Sequence, residues 1–379
     1  MPNIEKREKI YFENLDAIRF LCFLSVFLFH SFHTTDSEVL NSDIHFFFSH
    51  ILFANGNLGV NFFFVLSGFL ITFLLIKEKK LNGQINLKKF WIRRVLRIWP
   101  LFYFCVFFGF VLFPFIKTSL GEVSSETANI YYYLSFLNNF DLISNGLPEA
   151  STLGVLWSIA IEEQFYLVWP IILYFFNIKK YWIPFGIIFL ASLISRFLNP
   201  TYLYFEYHTL SCISDMVIGS FGAWLIIEKA KFKKLITNCS KLTIATVYLI
   251  FFIIFIFRKP LLLEVEFLNI FERAIIGVVI TFIILEQSFS LNSLFKFSKF
   301  KLFTKLGLIS YGLYSLHFIG ILVAIQFFEF VDFPNKFIQT FLLETSFAFF
   351  FTILISKISY RILEKPFLKV KERFSFFSK

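Results

Sequence analysis

Arg19 and His30 lie eleven residues apart in the otherwise apolar stretch Leu15-Asp-Ala-Ile-Arg-Phe-Leu-Cys-Phe-Leu-Ser-Val-Phe-Leu-Phe-His30. On a helix that spacing brings the two side chains within about 20° in azimuth and sets them about 16 Å apart along the axis. A neutral imidazole is suited to take the proton of a hydroxyl, and a guanidinium to hold an anion. Facing one groove, the two are expected to share a water-accessible cavity, with Arg19 toward the inner boundary and His30 toward the outer one. Each also has a plainer use. His30 can hydrogen-bond a neighbouring helix, and Arg19 can snorkel to lipid phosphate.

Two more clusters have chemical potential. In Trp91-Ile-Arg-Arg-Val-Leu-Arg97-Ile-Trp-Pro100, Arg94 and Arg97 are three apart and therefore neighbours on one helix face. Their planar forks match phosphate oxygens and suit a nucleotide-like diphosphate, although arginines at a helix end also serve simply as anchors. In Leu156-Trp-Ser-Ile-Ala-Ile-Glu162-Glu163-Gln-Phe-Tyr166-Leu-Val-Trp-Pro170, two adjacent carboxyl groups fall midway through an apolar run. Adjacent side chains diverge by about 100°, so both cannot face lipid, and charging either needs a partner. Arg19, Arg94 and Arg97 are the available cations, so Glu162 or Glu163 is expected to pair with an arginine or to orient a histidine. Asn61, Ser67 and Gly68 interrupt a Phe-rich stretch; the small residues fit close helix packing, and Asn61 is the more chemical position. Tyr314 precedes a second intramembrane histidine, His317, by one turn, and His317 reads equally as structural or catalytic. Asp16 is expected to cap or pair locally, and Glu364 to end a helix and form a local ion pair.

These residues must be positioned by membrane helices. The chain of 379 residues is 57% hydrophobic and 22% aromatic with only 16% charged, which excludes an ordinary soluble domain. The formal net charge of +10 does not point to nucleic acid, because Lys and Arg cluster between apolar runs. Stretches long enough to cross a bilayer fall at about 15–33, 58–76, 95–116, 153–176, 182–199, 210–228, 241–257, 268–287, 306–329 and 336–359. The expected fold is an all-α polytopic bundle of about ten helices. Basic connections, such as that from Lys77 to Arg94, alternate with poor ones: residues 34–57 contain no Lys or Arg, and 117–152 contain only Lys117. The positive-inside rule then places both termini in the cytoplasm. Segments 44–57 and 130–140 are candidates for re-entrant or interfacial pieces. The expected organisation is a cytoplasmic segment 1–14 without a removable signal peptide, a membrane domain 15–359 and a basic amphipathic tail 360–379. Cys22, Cys105, Cys212 and Cys239 lack disulfide or metal spacing and read as small apolar residues, so no metal is expected.

In their order and combination, these segments resemble the acyltransferase-3 family of multi-pass membrane acyltransferases, which includes O-antigen and exopolysaccharide O-acetylases. The resemblance rests on Leu15-Asp16-Ala-Ile-Arg19 through His30, Gly59-Val-Asn-Phe-Phe-Phe-Val-Leu-Ser-Gly68, Arg94-Val-Leu-Arg97-Ile-Trp-Pro, Leu156 through Tyr166, and Ile309-Ser-Tyr-Gly-Leu-Tyr-Ser-Leu-His317. It implies an enzyme of the bacterial cytoplasmic membrane that transfers an acyl group, usually acetyl from acetyl-CoA, to a hydroxyl of a cell-surface carbohydrate. It implies further that Arg19, Arg94 and Arg97 bind the donor and that His30 acts with Glu162 or Glu163 in catalysis. Asn61, Ser67, Tyr166, Tyr314 and His317 are then substrate-binding or supporting residues. Asn61 stands where an acidic residue is common in the family, and Ala17 and Phe20 replace frequent glycines. The esterase-like domain appended to some members is not expected here. An exporter of a polysaccharide or lipid-linked sugar would also need such spans, but the chain lacks the paired halves with Gly- or Pro-broken helices of many transporters.

Overall fold

Backbone that crosses hydrocarbon must satisfy its own N–H and C=O groups, and a chain with long apolar runs and no strand periodicity does so by forming helices. The computed structural model describes residues 10–331 and 333–376, and among these every regular element is helical. Ten helices build the bundle: α1 (Glu13–Phe29), α2 (Leu58–Asn82), α3 (Leu87–Ser119), α4 (Leu156–Phe175), α5 (Trp182–Leu198), α6 (Thr209–Glu228), α7 (Lys241–Leu263), α8 (Glu266–Phe289), α9 (Ser310–Val331) and α10 (Lys336–Glu372). Nine of the ten, α2 to α10, lie in stretches long and apolar enough to span a membrane. The remaining one, α1, has 17 residues and a length of about 26 Å, close to the hydrocarbon thickness of about 30 Å. The protein is an all-α, multi-pass membrane protein.

The apolar windows of α2 and α6 are 78% and 67% buried inside the protein, whereas those of α7 and α10 are only 17% and 22% buried. So α2 and α6 form the centre, and α7 and α10 present their apolar faces outward. Glycine permits the central contact. A Cβ on Gly68 of α2 would lie 1.9 Å from the Met216 carbonyl oxygen of α6, and one on Gly219 would lie 2.0 Å from that of Val65. Only hydrogen side chains allow the two backbones this close, the membrane form of small-residue packing. Gly68 therefore has a packing role, as its neighbours in sequence suggest, while Ser67 turns the other way.

The basic connections gather at one end of the bundle. Lys79 Nζ donates to the carbonyls of Leu173, Tyr174 and Phe176 at 2.7, 2.9 and 2.7 Å, capping the C-terminus of α4 with a cation. Lys80 pairs with Glu228 at 2.5 Å, and Lys301 with Glu13 at 2.9 Å. Segments 44–57 and 130–140 form short helices and turns, including Asp43–Phe46, Phe47–Leu52 and Ile130–Leu134, none long enough to cross a bilayer. In the acidic connection, the Lys117 ammonium, aided by Ser124 and the Ser125 amide, holds the Glu149 carboxyl down to about 2.

Charges of both signs are buried toward the opposite end. Arg273 Nη1 donates to Asp215 at 2.7 Å and Arg258 meets Glu272 at 2.7 Å, with Arg196 3.7 Å from Glu272 and Glu206 3.8 Å from Arg273. Asn61 donates to Asp215 at 3.0 Å and Arg258 to Asn57 at 2.9 Å, so the network ties α2 to α5, α6, α7 and α8. Its three arginines and three carboxylates balance, which is what makes such burial tolerable.

Beyond residue 359 the chain continues as helix, through a wide turn at Tyr360–Glu364 into Lys365–Glu372. This last segment packs on the start of α3. Glu364 is buried, its Oε1 has no hydrogen-bond partner, and it forms no ion pair with any described residue, contrary to the local pair expected from the sequence. Residues 1–9 and 377–379, parts of the segments expected to be cytoplasmic, lie outside the described residues.

Candidate active site

A cavity of about 280 Å³ lies between α1, α2, α3, α4 and α9. Its apolar walls include Phe63, Phe64, Leu70, Ile71, Ile98 and Ile159. Its polar groups are Asp16 and Arg19 from α1, Ser67 from α2, Arg94 and Arg97 from α3, Ser158, Glu162 and Tyr166 from α4, and Ser310, Tyr311 and Tyr314 from α9. Tyr11 and Lys371, near the basic end, also line it. The arginines that the sequence places on two separate helices thus face one space.

Their electrostatic situations differ. Arg19 is ion-paired to Asp16 three residues earlier, and Tyr11 OH donates to the other Asp16 oxygen at 2.7 Å. Asp16 thus pairs locally, and Arg19 pairs with neither glutamate of α4. Arg94 has a buried Nε with no hydrogen-bond partner, and its guanidinium lies 5.2 Å from the Tyr166 ring centroid and 5.6 Å from that of Phe90. Arg97 forms no hydrogen bond or ion pair with any described residue. Two fixed positive charges therefore face the cavity with hydrogen-bonding capacity unused, the setting that recruits an anionic ligand.

Helix geometry separates the two adjacent glutamates. Glu162 faces the cavity, where it accepts from Ser67 Oγ at 2.8 Å and from Tyr166 OH at 2.6 Å. Glu163, about 100° further round, leaves the cavity lining; its Oε2 accepts from Trp99 Nε1 at 2.9 Å and its Oε1 is buried without a partner. Neither orients a histidine. The register of α3 against α4 follows from Pro170, which has no N–H and frees the carbonyl one turn earlier, that of Tyr166. Trp91 Nε1 takes it at 3.1 Å, locking the arginine helix to the glutamate helix.

His30 corrects the expectation of one shared groove. It is the C-cap of α1 and is absent from the cavity lining, because α1 ends at Phe29 and the ring packs toward α9. There its Nδ1 lies 3.1 Å from His317 Nε2, and His317 Nδ1 lies 2.6 Å from the Tyr314 carbonyl oxygen. A carbonyl only accepts, so His317 Nδ1 carries the hydrogen, and in the neutral ring Nε2 is a lone pair. That lone pair takes the hydrogen of His30 Nδ1, which leaves His30 Nε2 unprotonated, the form a general base requires. Tyr314 links the two regions. Its ring lines the cavity, its OH is 2.7 Å from Ser158 Oγ, and its carbonyl holds His317. The imidazole is thus half-buried against α9, one residue beyond the end of α1 and outside the cavity.

The remaining residues divide. Ser67, Tyr166 and Tyr314 line the cavity, whereas Asn61 faces the other way, onto Asp215. Ser158, Ser310, Tyr311 and Lys371 were not singled out by sequence reasoning, and neither were Arg196, Glu206, Asp215, Arg258, Glu272 and Arg273. Arg196, Asp215, Glu272 and Arg273 lie within apolar runs, so the rule that intramembrane charges need a reason, applied to every span, marks them. Serines and tyrosines within spans carry no comparable signal. Among the described residues no three His, Cys, Asp or Glu side chains gather as a metal ion's ligands would.

The chain matches the acyltransferase domain family over residues 12–361. It is 28% identical to the peptidoglycan O-acetyltransferase OatA of Listeria monocytogenes over 392 aligned residues, covering 97% of this chain and 58% of the relative. It is 26% identical to the O-acetyltransferase OatA of Staphylococcus aureus, covering 95% of this chain and 57% of the relative. A shorter match, to the putative peptidoglycan O-acetyltransferase YrhL of Bacillus subtilis, is 35% identical and covers 43% of this chain and 24% of the relative. The chain therefore spans somewhat over half the length of the two OatA proteins. No solved structure matches it. With the family match extending over nearly its whole length, the chain belongs to the acyltransferase-3 family.

Proposed function

We propose that the protein is a membrane O-acetyltransferase that moves an acetyl group from acetyl-CoA to a hydroxyl of a cell-envelope carbohydrate. The observation that carries the donor half of this reading is the pair Arg94 and Arg97, whose guanidiniums face the cavity with no carboxylate in ion-pair contact, Glu162 acting on both only at longer range. A diphosphate supplies the missing charge, and the apolar stretch beyond suits a pantetheine arm. The basic ends of the helices support placing this mouth, and both termini, on the cytoplasmic side. The carbohydrate acceptor is supported by the named activities of the relatives.

In the reaction His30 Nε2 takes the proton of the sugar hydroxyl as its oxygen attacks the thioester carbonyl carbon. The tetrahedral intermediate then expels the thiolate of CoA, which recovers the proton from the imidazolium. His317 acts as a positioning residue by fixing the tautomer of His30. Glu162 organises Ser67 and Tyr166 on the cavity wall. Because Tyr314 and Ser158 close the cavity toward His317, they must part for the thioester to meet His30.

Incubating the purified protein with acetyl-labelled CoA and a panel of envelope glycans tests the reading. Covalent label on a glycan supports it; passage of glycan across a vesicle membrane without covalent change overturns it in favour of an exporter. The arginines have a separate test. Arg94→Ala and Arg97→Ala are each expected to weaken CoA binding by about tenfold or more, the value of a charge-assisted contact. Titration calorimetry with unchanged affinity for both variants would remove them from the donor site.

A further inference from the structure

The C-terminal helical segment, which reads in the sequence as a basic tail, reaches the donor cavity. Three contacts fasten it to the start of α3. Arg93 Nη1 donates to the Phe374 carbonyl at 2.8 Å, the Arg93 guanidinium lies 5.4 Å from the Phe376 ring, and Lys89 Nζ lies 4.8 Å from the same ring. Arg93 is held from behind by Glu78 at 3.4 Å. The register that results puts Lys371 into the cavity lining, half-buried, while Lys369 on the same helix stays exposed. Lys371 thus adds a cation, from a separate element, to the space that Arg94 and Arg97 already make positive.

The position of Lys371 assigns it a partner. Arg94 and Arg97 follow the start of α3 at Leu87 by seven and ten residues, about 10 and 15 Å along its axis. The segment carrying Lys371 is fastened at Lys89 and Arg93, nearer the basic end. A donor that enters pantetheine-first and seats its diphosphate between the arginines leaves its nucleoside, with the separate ribose phosphate, at the mouth. An ammonium on a flexible stem suits a single phosphate there, as the rigid arginine forks suit the diphosphate. Resting on the donor reading above, we infer that Lys371 is a further donor-binding residue, which takes the ribose phosphate of acyl-CoA at the cavity mouth. The C-terminal segment is then part of the donor site.

Equilibrium binding of CoA and of dephospho-CoA, which lacks only the ribose phosphate, to the purified full chain tests this. The parent protein is expected to prefer CoA by about tenfold. Lys371→Met abolishes that preference by weakening CoA alone, and its unchanged affinity for dephospho-CoA shows that the variant is folded. Lys371→Arg keeps the preference, and Lys369→Met behaves as the parent. Arg94→Ala weakens both ligands, because both carry the diphosphate. A Lys371→Met protein that still prefers CoA overturns the inference, as does a parent that binds the two ligands equally; in both cases the donor reading stands. A parent that binds neither ligand overturns the donor reading and the inference with it.

Discussion

Replacing His30 by alanine is expected to slow acetyl transfer by about a hundred- to ten-thousandfold, the range that a positioned general base contributes, while CoA affinity stays at the parent value. The split follows from the geometry. His30 is outside the cavity, so its removal leaves the arginine cluster intact. What is lost is the one ring whose Nε2 the hydrogen-bond chain from the Tyr314 carbonyl through His317 leaves free. His317→Ala breaks the same chain one link earlier. It is expected to lower kcat by a smaller factor than His30→Ala and to leave KM for the donor unchanged, since the base survives but its tautomer is no longer imposed. Steady-state rates with labelled donor, read beside calorimetric CoA affinities, check both. A His30→Ala protein that inserts normally and transfers acetyl at the parent rate would remove the histidine from the mechanism.

The second large effect concerns stability. Asp215→Ala is expected to cost about 3–5 kcal/mol, the penalty for removing one partner of a buried ion pair. Asp215 is 0% exposed and receives both Arg273 at 2.7 Å and Asn61 at 3.0 Å. Without the carboxylate, Arg273 keeps only Glu206 at 3.8 Å and two carbonyls at 3.3 Å, those of Phe205 and Glu206. Water has no easy access there to solvate the stranded charge. The loss also loosens α2, whose opposite face carries Ser67 into the cavity. Asp215→Asn retains an acceptor oxygen and the shape, so it is expected to cost less. Denaturant midpoints of the purified variants in detergent give the comparison, and a parent-like midpoint for Asp215→Ala would show that the network is not load-sharing.

Much of the architecture is legible in the residues themselves. The ten apolar stretches correspond one to one with the ten helices, because hydrocarbon leaves a long apolar run almost no other way to satisfy its backbone. The grouping of Arg94, Arg97 and Glu162 was partly legible too. Spacing of three sets the two arginines on one face, and an intramembrane carboxylate needs polar neighbours. Its hydrogen bonds nevertheless come from Ser67 and Tyr166, and Arg94 and Arg97 act on it only through space. Local sequence cannot reveal that, because the choice depends on which helix faces which.

What the sequence by itself determined is the set of spans, the basic ends that bind them together, and the residue types able to hold a phosphate or accept a proton. These follow from the cost of burying polar groups in hydrocarbon, which acts on each segment separately. Only the tertiary structure decided that Glu162 enters the cavity and Glu163 leaves it, that His30 meets His317 beyond the cavity's end, and that residues 365–376 return to the mouth beside α3. The physical reason is range. Helix periodicity relates residues within a few turns, whereas these pairings join positions such as 30 and 317 through the packing of helices far apart in the chain.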